Sequence, residues 1–549
     1  MPQITEADFY KKFEVWLGRF LEENPVEATQ LGDHRFDHRL GEGNPQARAR
    51  QEKLLREALA ELEGVKTEGW SADAQVDYIL VSHLVRSFLR EFQKIRPYER
   101  SPGLYVMEAV GGVGLLLLRD FAPFPRRLES VWARLSEVPR VLKEGKENLE
   151  PRKVPKVWAE VALDGARRSL PLFRLIIPAL NLRVPKLAPK VIRESRRAAR
   201  ALQDYAQFLE NEVLPKAQGD FAAGKELFEE ILRHDHMLPY SAEELLELGW
   251  KILEETRREM GVLAEKIAPG KSAQKILEDA KNHHPRPGEL LSVYRREMAR
   301  AREFVEKRGI VTIPEGEKLL VKPTPPVLRP TIPYAAYMMP GPLEEKQEGI
   351  FLVTPVDRFV PPHVREEKLR GHYFAKIAVT VVHEAYPGHH LQLVFANRYA
   401  KSLPRKLGSA LSSLFVEGWA FYCEELMESL GYLADPVQKL ARLQDQLWRA
   451  ARVILDVSLH TKGMSVEEGV EFLVREAGLE RTNALAEVRR YTRSPTQPLS
   501  YLVGKLEILK VIEEYKEKHP GASLREIHDA ILSQGSLPPK LLRMRLLGG

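Results

Sequence analysis

The chain has 549 residues, 44% hydrophobic and 29% charged, the composition of an ordinary globular protein. Its 83 basic and 77 acidic residues leave a formal net charge of +6, with the signs interleaved in stretches such as "EETRREM" and "RESRRAAR". There is no long basic block and no basic–aromatic interleaving, and no apolar run nears the ~20 residues that span a bilayer, so the reading includes neither a nucleic-acid nor a membrane partner.

A single cysteine, Cys423, rules out an intramolecular disulfide and fits a reducing compartment. The opening "MPQITEADFYKKFEVWLGRF" has no apolar core followed by a small-residue cleavage site. A cytoplasmic protein is expected.

Along the chain, an amphipathic stretch at 6–23 follows Thr5, a capping residue. Helical patterns then cover roughly 49–63, 71–94, 124–148, 154–177, 189–217, 241–266 and 287–308, with Ser71 and Ser241 as starting caps. Near residue 309 the character changes. "GIVTIP", "KLLVKPTPP", "YAAYMM" and "GIFLVTPV" are short, β-branched or aromatic, and bounded by Pro and Gly, which predicts a small antiparallel sheet across 309–356. Helical patterning resumes near 363 and runs to the end, with "VVHEAYPGHH" (381–390) near the end of the first of these later helices. The expected fold class is mainly α: a large helical body with a small antiparallel sheet beside the His-Glu helix. Residues 1–308 form its helical N-terminal part and 309–549 its sheet and catalytic helical part, together one continuous two-lobed domain.

The stretch 381–390 opens like a zinc-peptidase helix, in which His-Glu-x-x-His sets two histidines one turn apart. Here the fifth position is Pro387, and histidines arrive late, at 389 and 390. In a regular helix His389 lies about 240° around from His383, and His390 about 10 Å along the axis, so neither meets a shared metal. Pro387-Gly388 is where the helix can deform, because proline removes a donor and glycine tolerates unusual dihedrals. A break at 385–388 that absorbs two residues makes His389 the second ligand. One that absorbs three makes it His390. In the first case His390 points at substrate or supports the site from behind.

A catalytic zinc site also needs a third ligand, an open position for water, and a carboxylate to take the water's proton. Glu384 follows His383 directly. "FVEGWAFYCEEL" offers Glu417 on a helical stretch 34 residues after His383, and Gly418 and Ala420 beside it permit close helix approach. "LWRAARVILDVSLH" sets Arg452, Asp456 and His460 on one helix face, as a salt-bridge ladder or as groups that orient ligands or substrate. "RRYTRSPTQPLSYLVGK" carries Arg490, Tyr491 and Tyr501, and tyrosines near a metal commonly donate to the oxyanion of a tetrahedral intermediate.

The blocks "HEAYPGHHLQ", "VEGWAFYCEEL", "RYTRSPTQPLSYLVGK" and "IHDAILSQGSLP", with "EATQLGDHRFDHRL" near the start, resemble the bacterial family catalogued as domain of unknown function 885 over nearly the whole chain. That family is similar in fold to the Taq-type zinc metallocarboxypeptidases. The resemblance implies a zincin-like helical body split by a deep cleft, with zinc at its floor. It implies His383, one of the late histidines and Glu417 as ligands, Glu384 as general base, and Tyr491 and Tyr501 as oxyanion donors. The carboxylate-binding motifs of the carboxypeptidases have no match here.

The resulting expectation is a zinc-dependent peptidase of carboxypeptidase or oligopeptidase type, acting on short peptides. Zn2+ is held by His383, His389 and Glu417. Glu384, Tyr501 and Tyr491 are catalytic, and His390, Arg490, Arg452 and His460 bind substrate. The alternatives are a zinc hydrolase of a non-peptide amide, and a non-catalytic helical binding protein with a degenerate or structural metal site.

Overall fold

The computed structural model describes residues 4–548 apart from 182, 326–328, 330, 331, 333 and 357–359. Helices Glu6–Glu23, Pro45–Leu62, Ala72–Arg90, Phe124–Asn148, Lys156–Pro171, Ala188–Phe208, Ala242–Ile267 and Leu290–Arg308 fall on the eight predicted segments. Local chemistry sets their starts. Thr5 and Ser241 each form a reciprocal capping box, and the Ser71 side chain accepts from the Ala74 amide. Pro45 occupies the first turn behind Asn44, so that helix begins before the expected residue 49.

Contacts divide the chain into two units, Met1–Phe221 with Gly341–Glu345, and Ala222–Pro340 with Lys346–Gly549. In the first unit the fully buried Arg134 donates to the Gly112 and Pro25 carbonyls and to the Thr29 hydroxyl, which in turn donates to Asp37. His34 stacks on Phe121 and lies 3.0 Å from Asp37 and 3.2 Å from Glu344. Burial works against its charge, but hydrogen bonds to these two carboxylates outweigh it and push the imidazole pKa up to about 9.

The second unit is built around Pro436–Thr461, in which every residue from Arg449 to His460 is buried. Ala242–Ile267 packs along it, and Gly249 admits Ile454 against its backbone. A helix covered on all sides needs partners for each polar side chain within the core. Arg452, Asp456 and His460 find theirs in the segment that leads to Tyr501.

The small sheet comprises β1 (Lys318–Pro323), β2 (Ala335–Met338) and β3 (Glu348–Val353), in the order β1-β3-β2. It is mixed rather than antiparallel. β3 takes the middle place, antiparallel to β2 and parallel to β1. "GIVTIP" forms no strand. Its backbone is held by a helix instead: His528 Nδ1 donates to the Ile310 carbonyl at 2.8 Å, and Asp529 accepts from the Thr312 amide at 2.9 Å. The segment from 363 to the His-Glu pair is two helices, Pro362–Arg370 and Phe374–Glu384, rather than one. Among the described residues no single helix is long and apolar enough to cross a membrane.

Candidate metal centre

The His-Glu helix Phe374–Glu384 stops where Ala385 leaves helical dihedrals, and the next helix, His389–Tyr399, starts after a cis Tyr386–Pro387 peptide and Gly388. The break therefore falls at 385–388. Within it the Gly388 amide donates to the Val382 carbonyl at 3.1 Å, and a Cβ on Gly388 would land on the His383 carbonyl oxygen. Trp419 Nε1 donates to the Pro387 carbonyl at 2.9 Å and ties the turn to helix Leu414–Ser429.

This turn brings His389, not His390, back beside His383, with ring centroids 4.7 Å apart. Glu417 completes the group. Its Oε2 lies 3.4 Å from His389 Nε2 and 3.9 Å from His383 Nε2. One ligand atom from each of the three residues lies within 4.8 Å of the others. Around a tetrahedral zinc, ligand atoms stand roughly 3.3–3.5 Å apart, given bonds of ~2.0–2.2 Å. The donor set fits a divalent metal on a second count: Glu417 Oε2 is buried and has no hydrogen bond, an arrangement that costs free energy without a partner.

Glu417 reaches this place through a close helix crossing. Gly418 meets Gly504 of helix Ser500–Lys518, and a Cβ on Gly504 would fall on the Leu414 carbonyl oxygen. The same crossing carries Tyr501, three residues before Gly504, to the cluster. Its ring lies nearly parallel to that of His383, 6.2 Å away between centroids.

His383 is oriented from behind, because its Nδ1 is 2.8 Å from Glu424 Oε1. Burial pushes the Glu424 carboxyl up to about 7. Burial also lowers His383 well below the usual histidine range, with help from the charges of His389 and Arg449, so it is neutral, as a metal ligand must be. Glu417 is held down at about 2, because His389, His383 and Arg452 outweigh its burial. Glu384 moves the other way. Burial raises its carboxyl, the Glu417 charge adds to that, and His389 opposes it.

The remaining sequence-predicted residues divide. Arg452 is sandwiched between the rings of Trp448 and Tyr501, with Cζ 4.3 and 4.4 Å from their centroids. It donates to the Tyr491 hydroxyl at 2.7 Å and to Glu487 at 3.1 Å and so backs Tyr501, while its Nη1 is buried with no hydrogen bond among the described residues. Tyr491 is fully buried, and its hydroxyl also donates to Glu487, so no oxyanion role is open to it. His460 has both ring nitrogens in use, one with the Ala223 amide and one with the Tyr491 carbonyl. Asp456 accepts from the Thr496 and Leu499 amides. The Arg452–Asp456–His460 face thus clamps residues 491–499 and through them sets the start of the Tyr501 helix. His390 is wholly buried, with Nε2 on Glu317 and Nδ1 beside the Tyr337 hydroxyl, leaving no nitrogen for substrate. Arg490 donates to Gln497 and Glu487, but its side chain keeps 40% exposure.

Glu424, Glu317 and Trp419 were not singled out from sequence. Glu424 had a signal, since it stands seven residues, two turns, after Glu417 on one helix face. Glu317 and Trp419 had none, because their partners come from distant segments.

Fold and site together define a mainly helical protein with a His-His-Glu cluster at a broken helix. The chain belongs to the family described as bacterial protein of unknown function (DUF885), whose model matches residues 25–546. It is similar to a solved candidate lipoprotein of unknown function from Shewanella oneidensis, at 24% identity and a TM-score of 0.79 over 99% of this chain and 100% of that one. It is also similar to a solved candidate lipoprotein from Colwellia psychrerythraea, at 18% identity and a TM-score of 0.84 over 99% of each chain. At these identities the likeness speaks for the fold alone. Among curated proteins none matches this chain.

Proposed function

We propose that this protein is a zinc-dependent hydrolase of peptide bonds, acting on short peptides in a zincin-like cleft. The observation that carries the reading is the convergence of His383, His389 and Glu417 on one point, with the half-buried Glu384 next in chain to the first. These three residues would hold Zn2+, which would supply Lewis acidity and lower the pKa of a nearby water to ~7. Glu384, its carboxyl raised above the ordinary glutamate value by burial, would take a proton from the attacking water and hand it to the leaving amine. The Tyr501 hydroxyl donates to the oxyanion that develops on the scissile carbonyl, and Arg452 holds its ring in place.

A closed structural site has four protein ligands. Here His390 is bound up with Glu317 and Tyr337, and only three donors gather among the described residues. That favours a site with an open position. The lone buried cysteine keeps a cytoplasmic setting in the reading. Cell fractionation tests it, and recovery with membranes would align the chain with its lipoprotein-named relatives.

The deciding experiment is metal analysis of the purified protein together with a mixed-peptide cleavage assay, with and without chelator. We expect one zinc per chain and peptide cleavage that a chelator abolishes. Bound zinc with cleavage only of non-peptide amides would move the assignment to that class. Absence of stoichiometric metal would overturn it.

A further inference from the structure

His383 and His389 are held in different ways. His383 has Glu424 on its far nitrogen, whereas His389 Nδ1 is buried with no hydrogen-bond partner among the described residues. A ligating imidazole usually has its second nitrogen tied down, which fixes the ring's direction. The direction of His389 rests instead on the backbone turn that delivers it.

That turn is gripped on two sides. Trp419 holds Pro387 from one. On the other stands Glu317, just before β1, with its side chain 2% exposed. Its Oε2 accepts from the Tyr386 hydroxyl at 2.9 Å and from His390 Nε2 at 2.8 Å, and its Oε1 accepts from Arg302 Nε at 3.0 Å. One carboxylate oxygen thus joins the residues at both ends of the Pro387–Gly388–His389 run. With Nε2–H donating to Glu317, His390 Nδ1 accepts from the Tyr337 hydroxyl on β2 at 3.1 Å. The ring has room because residue 349 on β3 is glycine: a Cβ there would lie 2.5 Å from His390 Nδ1. Burying a carboxylate is costly unless it is fully satisfied, and this one is met by Arg302, Tyr386 and His390, the last two flanking the turn.

We propose that Glu317 is a positioning residue of the metal centre: by bridging Tyr386 and His390 it fixes the turn between them and so aims His389 at the metal. This rests on the reading of His383, His389 and Glu417 as a zinc site.

The test is equilibrium zinc affinity, by chelator competition at 25 °C, on full-length wild type, Glu317→Ala and Glu317→Gln, with the thermal midpoint of each metal-free protein measured in parallel. Glu317→Ala is expected to weaken zinc binding about 10–100-fold, the usual effect of losing a group that orients a ligand. Glu317→Gln, whose amide oxygen still accepts from Tyr386, should recover part of the loss. A Glu317→Ala protein that melts earlier but binds zinc as tightly as wild type would overturn the proposal and leave Glu317 a purely structural residue. Should Glu317→Ala not fold, Tyr386→Phe and His390→Gln each remove one arm of the bridge; reduced affinity in both supports the proposal, and wild-type affinity in both overturns it. Wild type that binds no zinc is a separate failure, that of the metal reading itself.

Discussion

Glu384 and Tyr501 sit beside the same cluster with distinct chemistry. Glu384→Gln keeps the shape of the side chain but cannot take a proton. It should retain zinc and fold while turnover falls roughly 10²–10⁴-fold; metal analysis and steady-state kinetics on the purified variant check this, and near-wild-type activity would remove Glu384 as the base. Tyr501→Phe loses only a hydroxyl. Turnover should drop roughly 10²–10³-fold with little change in KM, whereas a loss confined to thermal stability would mark the residue as core. At this scale much was legible. The expected ligands His383, His389 and Glu417 lie together, and the Tyr501 ring lies 6.2 Å from that of His383. Tyr491, His390 and His460 misled, because a tyrosine or histidine reads alike whether it faces a ligand or closes a buried hydrogen bond.

Two glycines set how elements meet. Gly388 lies so close to the His383 carbonyl that no side chain fits. Gly388→Ala should therefore open the turn and abolish tight zinc binding even in a folded protein, as chelator competition and circular dichroism together would reveal. Gly504→Ala puts a methyl group against the Leu414 carbonyl, and overpacking of this kind costs about 1–3 kcal/mol. It should lower the thermal midpoint and, by moving Tyr501 away from Glu417, reduce kcat more than zinc affinity. The break at 385–388 was legible because Pro-Gly cannot continue a helix. The strand order was not, since which strand takes the middle of a sheet depends on long-range pairing that no local pattern encodes. "GIVTIP" has a strand's composition, but its backbone partners are side chains of a helix more than 200 residues downstream.

Across the molecule, helical content was written plainly in caps and periodicity, whereas the contact division at Phe221–Ala222 was not, because composition shifts only at the strands near 309. The first unit has a pH response of its own. The folded state holds the His34 proton up to about pH 9, against an ordinary histidine value of 6.5. The stability that the proton contributes is thus fully present below about 6.5 and is lost as pH rises through about 9. Thermal midpoints taken from pH 6 to 10 should decline more steeply for wild type than for His34→Gln; parallel curves would show that the Asp37 and Glu344 contacts carry no such linkage.

The Pro387–Gly388 turn can also be viewed as an insertion. Striking those two residues from "HEAYPGHH" leaves "HEAYHH", in which the histidine now numbered 389 falls four places after His383, the spacing of an unbroken ligand helix. The extra pair leaves the two histidines side by side, while the chain beyond them continues as a second helix, His389–Tyr399, instead of one unbroken helix. A variant lacking both residues would keep the ligand register and lose the Trp419 anchor at Pro387. Histidine spacing and helix continuity, fused in the uninterrupted motif, are thus set apart by one short loop.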